Sequence, residues 1–256
     1  YNVQISTENQ FITHASIHQK PSDTTTLRPH LDGFEAAYQT QSKEVVADAG
    51  YGSEENYVML KNKDIIGYVK YNYFHKEQKK SLLKDPFLVQ NLFYNSVEDF
   101  YVCPMGQRME NVGIGKRISS NGYESQITHY QAINCNGCPM RGQCHKAAYN
   151  RKIDVNHRLN HLKYEAKELL MSEKGLKHRS NRAIEPEAVF GQVKSNNMFD
   201  RFTFLGLEKA EMEFLLMVAK HSALILKQLY STIRRASELV SNQQILINYH
   251  FRKLIA

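Results

Sequence analysis

The residues most able to do chemistry in this chain fall in three places. The first is Val45-Val46-Ala47-Asp48-Ala49-Gly50-Tyr51-Gly52-Ser53. Small apolar residues run into one aspartate, and a glycine-punctuated turn follows at once. This pattern predicts a carboxylate at the carboxyl end of a buried strand. An oxygen donor there can bind a hard ion such as Mg²⁺. It can equally cap its own turn. The second place is Glu187-Ala188-Val189-Phe190-Gly191-Gln192-Val193-Lys194, after Pro186. At 100° per residue, Glu187, Gly191 and Lys194 share one helix face, and Val189, Phe190 and Val193 form another. One face packs and the other offers charges, as any surface Glu–Lys helix also would. The third is the set Cys103, Cys135, Cys138 and Cys144. Cys135-x-x-Cys138 is a knuckle whose two thiolates can grip one ion, and four thiolates complete a tetrahedral zinc site. Reduced thiols and disulfides remain the other readings. His145 is a substitute ligand, although adjacent residues seldom both bind one ion.

The elements that must position these residues can be read in outline. Two short strands around Thr7-Glu8-Asn9 predict a hairpin within Tyr1–Gln19. Ser22-Asp23 starts a helix through Leu27, Leu31, Phe34 and Tyr38, in which Pro29 predicts a break or restart. A strand over 45–48, a helix over about 54–62 capped by Ser53, and a strand at Ile65–Val69 follow. The result is an α/β pattern with mixed pairing. Residues 71–100 mix Tyr and Phe with Lys76, Lys79, Lys80 and Lys84, which suits either nucleic acid or, preferably, a solvated helix over a local aromatic core. A basic helix spans 155–172 and is expected to end at Gly175. Pro186 suits the first turn of the helix that carries Glu187. Residues 207–230 form a strongly amphipathic helix, and 231–256 a further helical tail kept basic by Arg234, Arg235, Arg252 and Lys253.

The chain has 256 residues, a formal net charge of +7 and a pI near 9.1. The basic balance favours a polyanionic partner. No apolar run approaches the roughly 20 residues that span a bilayer, and no signal peptide is seen. The first residue is Tyr1, in the middle of an apparent strand, which suggests a piece of a longer protein. Four cysteines do not make a secreted disulfide scaffold.

Taken together, Ala47-Asp48-Ala49-Gly50-Tyr51-Gly52-Ser53 and the distant Glu187–Lys194 segment resemble the DDE transposases of bacterial insertion sequences. The nearest likeness is to the group with a cysteine-bearing insertion before the last acidic residue. Tyr1-Asn2-Val3-Gln4, Asp23-Thr24, Cys103-Pro104, Cys135-x-x-Cys138-Pro139, Arg201-Phe202 and Gly206 add to it. The resemblance implies an RNase H-like mixed sheet flanked by helices, lacking its first strand, with a cysteine-bearing insertion. It implies a first part of the core at 1–70, an insertion at 71–175, final core helices at 176–230 and a basic tail at 231–256. It implies a bacterial, cytoplasmic protein that acts on DNA, in a family that usually works as dimers on paired ends. Asp48 resembles the second acidic residue and Glu187 the third, both binding Mg²⁺ or Mn²⁺. Arg182 and Lys194 would contact DNA phosphates. In such enzymes, two ions activate water or a 3′-hydroxyl for in-line attack on a phosphodiester.

The family's first aspartate precedes the Tyr-Asn-Val-Gln motif, and this chain begins at that motif. Asp23 and Asp32 are poor replacements, since both follow the hairpin. The expectation is therefore a transposase fragment, inactive by itself. The competing expectation is a non-catalytic, zinc-stabilised DNA-binding protein with the same ancestry. A third is a structural remnant with an exposed hairpin edge.

Overall fold

The computed structural model describes residues 1–255, except for the side chains of 236 and 238–255. It contains nine strands and eight helices among those residues. By their contacts the residues divide into two compact units. One comprises 1–21, 30–40 and 180–256, the other 22–29 and 41–179.

The first unit opens with β1 (Asn2–Glu8) and β2 (Phe11–His18), an antiparallel hairpin. The connection is Asn9-Gln10, both at positive φ, so the strands run on through the predicted turn. Two left-handed residues match the twist of the flanking strands, and asparagine tolerates that conformation well. α1 (Leu27–Tyr38) follows a separate 3-10 turn at Asp23–Thr25. Pro29 does not break it. Proline there sits in the first turn, where the backbone N–H would have no intrahelical acceptor. α7 (Pro186–Asn196) and α8 (Leu207–Ile255) complete this unit. Ile17, Val193, Ala210 and Phe214 form its buried core, with Val3, Ile5, Ile12 and Phe190 packed around them. The predicted tail is continuous with α8. Its Arg252 and Lys253 side chains lie outside the described residues.

The second unit is built on a parallel pair, β3 (Glu44–Ala47) and β4 (Ile66–Val69), joined through α2 (Glu54–Asn62). After β4 the chain makes turns and one short helix, α3 (Lys80–Leu83), where a longer solvated helix was expected. Tyr71 and Phe74 are buried edge to face, so the local aromatic core is present without the helix. Next comes a five-stranded antiparallel sheet in sequence order: β5 (Phe93–Asn95), β6 (Phe100–Val102), β7 (Arg108–Ile118), β8 (Glu124–Ala132) and β9 (Lys152–Val155). α4 (Arg141–Cys144) lies between β8 and β9. One face buries Tyr101, Met109, Tyr130, Ile153 and Val155 together with Cys135. α5 (His157–Met171) and α6 (Glu173–Asn181) close the unit. Gly175 does not end a helix, as its type suggested. α5 stops at Ser172, and Gly175 is buried inside α6, where a Cβ would lie 2.0 Å from the Leu169 carbonyl oxygen.

The chain thus combines parallel and antiparallel pairing with flanking helices. No helix among the described residues is long and apolar enough to cross a membrane.

Candidate functional site

Asp48 comes directly after β3, outside the carboxyl ends of the parallel pair. Ligands of open α/β sheets commonly bind in that position. Its carboxylate accepts the Ala49 N–H at 2.8 Å and caps a 3-10 turn over Ala49–Tyr51. The capping expected of a turn aspartate is therefore present, and the side chain is exposed as well.

Three neighbours fix the turn. Ser53 caps α2 through the Asn56 N–H. Asn56, almost wholly buried, donates from Nδ2 to the carbonyls of Thr24 and Tyr51. Thr24 Oγ1 donates to the Gly50 carbonyl at 3.0 Å. Asp23 packs against Gly50, where a Cβ would lie 2.9 Å from its Oδ2. Gly52 is pressed on the backbone after β4: a Cβ there would sit 2.3 Å from the Lys70 carbonyl oxygen. The turn needs glycine at 52, where the backbone approaches too closely for any larger residue, whereas a larger residue at 50 would have to displace the Asp23 side chain.

Basic groups gather near Asp48. The His75 pKa is pushed down by burial, then by the charges of Lys70 and Arg179, while Asp48 pulls it up. Arg179 also stacks over the Phe74 ring. Lys70 and His75 were not singled out in the sequence, because their relation to Asp48 arises only from the fold. At the start of α2, Glu54 is buried and accepts from Asn156 Nδ2 at 2.6 Å and from the Tyr123 hydroxyl. It ties the helix after Asp48 to the five-stranded sheet.

In the other unit, Pro186 is the first residue of α7 and Glu187 lies in its first turn. Val189 and Val193 are fully buried, whereas Glu187 is 63% exposed. Arg182 reaches the Glu187 carboxylate at 3.4 Å with its own side chain largely buried. Lys194 Nζ lies 4.5 Å from the centre of the Phe190 ring, a favourable cation–aromatic contact. Nothing contacts the space where a Gly191 side chain would stand. Asp48 and Glu187 belong to different units.

The cysteines form a separate constellation. Cys103, Cys135, Cys138, Cys144, His145 and Arg151 line one cavity of about 270 Å³. All four cysteines are free. Cys135 and Cys103 begin tight turns with Gly137 and Gly106 at positive φ. Cys135 Sγ accepts the Arg151 N–H at 3.3 Å, and Cys144 Sγ accepts the Arg151 guanidinium at 3.1 Å. Both ring nitrogens of His145 are buried with no hydrogen-bond partner. Burial, then the Arg141 and Arg151 charges, push its pKa down. Among the described residues, no three His, Cys, Asp or Glu side chains are grouped so as to hold a metal ion. The thiols share a cavity without converging on a point.

A family model described as a transposase DDE domain matches residues 102–223. The match begins one residue before Cys103 and takes in the cysteines, Arg182, Glu187 and Lys194. It covers slightly less than half of the chain and does not reach Asp48. No curated protein matches the chain, and no solved structure does either.

Proposed function

We propose that this chain is part of the catalytic domain of a DDE-type transposase with an RNase H-like core, and that its partner is DNA. The observation that carries this reading is α7, an exposed Glu187 in the first turn beside Arg182 and one face away from buried Val189 and Val193. That helix lies inside the stretch matched by the transposase DDE domain. In this reading Asp48 and Glu187 supply two of the carboxylates. Carboxylate oxygens are hard donors and suit Mg²⁺ or Mn²⁺. When bound, such an ion would supply Lewis-acid activation for attack on a phosphodiester.

The roles of the chain's own groups follow from their positions. Asp48 is held by the 3-10 turn, with its carboxylate presented outside the sheet. Arg182 orients Glu187 through their ion pair. Lys194 projects from the same helix as Glu187, with its ammonium over the Phe190 ring, and in this reading neutralises a phosphate. Lys70 and Arg179 provide positive charge beside His75, and the His75 ring, kept neutral by burial and those charges, lies within electrostatic reach of Asp48.

The test is DNA binding across a salt series, followed by fluorescence anisotropy. Phosphate contacts make log K fall linearly with log salt. Lys194→Ala is expected to weaken binding on all sequences and to reduce the salt slope by about one. Binding that ignores salt, or a Lys194→Ala variant that binds as the parent does, would count against DNA as the partner.

One observation favours a zinc-stabilised form of the same reading. A buried imidazole with two orphaned nitrogens in a cavity lined by four thiols is costly as it stands. Thiolates and imidazole are the donors zinc prefers. Cys103, Cys135, Cys138 and Cys144 are the proposed ligands, with His145 as the substitute for Cys144. Binding requires the thiols to turn inward from the positions they occupy.

A further inference from the structure

Arg151 is a buried cation without an acid. It is 7% exposed, and among the described residues no carboxylate pairs with it. A guanidinium keeps its proton in proteins, and a buried charge without a counter-charge is costly. No Asp or Glu lines the cysteine cavity that it faces, and Arg141 adds a second guanidinium to the same wall. Arg141 donates to the carbonyls of Cys135, Ala147, Ala148 and Tyr149, so its partners are neutral as well. The cavity therefore carries fixed positive charge on two sides and no carboxylate to meet it.

The groups in that wall able to become anions are the four thiols. Arg151 already touches two of them. Its backbone N–H donates to Cys135 Sγ at 3.3 Å, and its Nη1 donates to Cys144 Sγ at 3.1 Å. The residue is fixed at both ends while it does so. Its own carbonyl accepts the Ala132 N–H at 2.9 Å, which registers it to the end of β8. Its Nη2 donates to the Phe87 carbonyl, in the chain before β5. The planar fork can hold a carbonyl and a sulfur at once, which a single ammonium cannot do in the same geometry.

Charge then decides between the two candidate ligand sets. A thiol that coordinates a metal ion gives up its proton. Four thiolates around Zn²⁺ leave two negative charges, and the guanidiniums of Arg141 and Arg151 cancel both. Three thiolates with the His145 imidazole leave one negative charge, and one buried guanidinium stays uncompensated. Cys144 is also the sulfur that Arg151 reaches, whereas neither ring nitrogen of His145 has a hydrogen-bond partner. An N–H donor bonds a thiolate more strongly than a thiol, so both Arg151 contacts strengthen when the metal is held.

We infer that Arg151 is the positioning and charge-balancing residue of a four-thiolate zinc centre: it donates to the Cys135 and Cys144 sulfurs and, with Arg141, supplies the counter-charge that leaves His145 outside the coordination. The inference rests on the zinc reading of the cysteine cavity and deepens it. It uses neither Asp48 nor Glu187.

The experiment titrates Zn²⁺ and Co²⁺ into the purified metal-free chain against a chromogenic chelator, for the parent, Arg151→Lys and Arg151→Met. The parent should take up about one ion per chain, with the cobalt absorption spectrum of four sulfur donors. Arg151→Met should bind zinc about tenfold to a hundredfold more weakly, the usual effect of removing a hydrogen-bond partner of a metal ligand. Its sulfur-to-cobalt charge-transfer band should move to longer wavelength, because sulfur lone pairs that accept fewer hydrogen bonds lie higher in energy. Arg151→Lys keeps the charge and should recover most of the affinity. A residue that merely anchors Phe87 would leave the band in place and make lysine and methionine alike. Circular dichroism in excess Zn²⁺ gives the folded fraction to which each affinity is referred. If the methionine variant does not fold, Arg151→Gln replaces it, with smaller shifts in the same directions. Unchanged affinity and an unmoved band overturn the role of Arg151 and leave the zinc centre standing. A cobalt spectrum of three sulfurs and one nitrogen overturns the four-thiolate centre. A parent that takes up neither ion removes the zinc reading, and this inference with it.

Discussion

His30 shows how strongly one residue can be set by its surroundings. It is buried between hydroxyls, with Ser6 Oγ 2.7 Å from Nε2 and Ser16 Oγ 2.7 Å from Nδ1. Each nitrogen can be satisfied by a neutral ring, one as donor and one as acceptor. Burial, then the nearby His14 and His18, push its pKa down to about 3. His14 and His18 are lowered too, by burial first, with Glu211 pulling each back up. An unfolded histidine titrates near 6.5. Between about 3 and 6.5 the unfolded chain therefore binds more protons at His30 than the folded chain. The stability from this group is complete above about 6.5 and is lost as pH falls toward 3. From pH 7.5 to pH 5 the free energy of unfolding should drop by about 2 kcal/mol through His30, and His30→Gln should flatten that slope. Urea melts at the two pH values measure it. Equal stability at both would show that the ring is not held neutral. The His30 contacts were not legible from sequence, because Ser6, Ser16 and His30 meet only through the hairpin register and the packing of α1.

At the scale of elements, the sequence was most informative where one pattern dominated. The alternation before residue 19, the Asp-Ala-Gly-Tyr-Gly-Ser turn and the proline-led α7 each follow from a local rule, and each element stands close to its expected place. The β7–β8 ribbon was not legible. β7 is exposed on both faces for most of its length, has glycines at 113 and 115, and bulges at Asn111–Gly113. No period of two survives such a composition. Gly175 misled for a related reason: the glycine serves a close backbone approach, not a helix end. The cysteine cavity is assembled from the turn after β6, the turn after β8 and α4, and spacing alone left its chemistry open. Zinc there predicts about one tightly held ion per chain, released on thiol modification. Cys135→Ser should lose the ion and lower the melting temperature by several degrees. Comparing Cys144→Ser with His145→Asn identifies the fourth ligand as the one whose loss releases zinc. Chain isolated from zinc-supplied cells with negligible metal, melting unchanged by chelator, would refute the site.

For the whole molecule, the account depends on two carboxylates that lie in different compact units. Asp48 follows a parallel strand pair, and Glu187 begins a helix packed on the antiparallel hairpin. Each was legible from its own motif. Their partnership rests on the family resemblance alone, because the DDE domain match over residues 102–223 takes in Glu187 and not Asp48. The most direct measurement is Mn²⁺ binding, followed by water-proton relaxation, for the parent, Asp48→Asn, Glu187→Gln and the double variant. If one ion is shared, each single change should weaken binding by about tenfold or more, and the double change should add little to either. If both single variants bind Mn²⁺ as the parent does, or if their losses simply add, Asp48 and Glu187 do not form one site and the account is wrong.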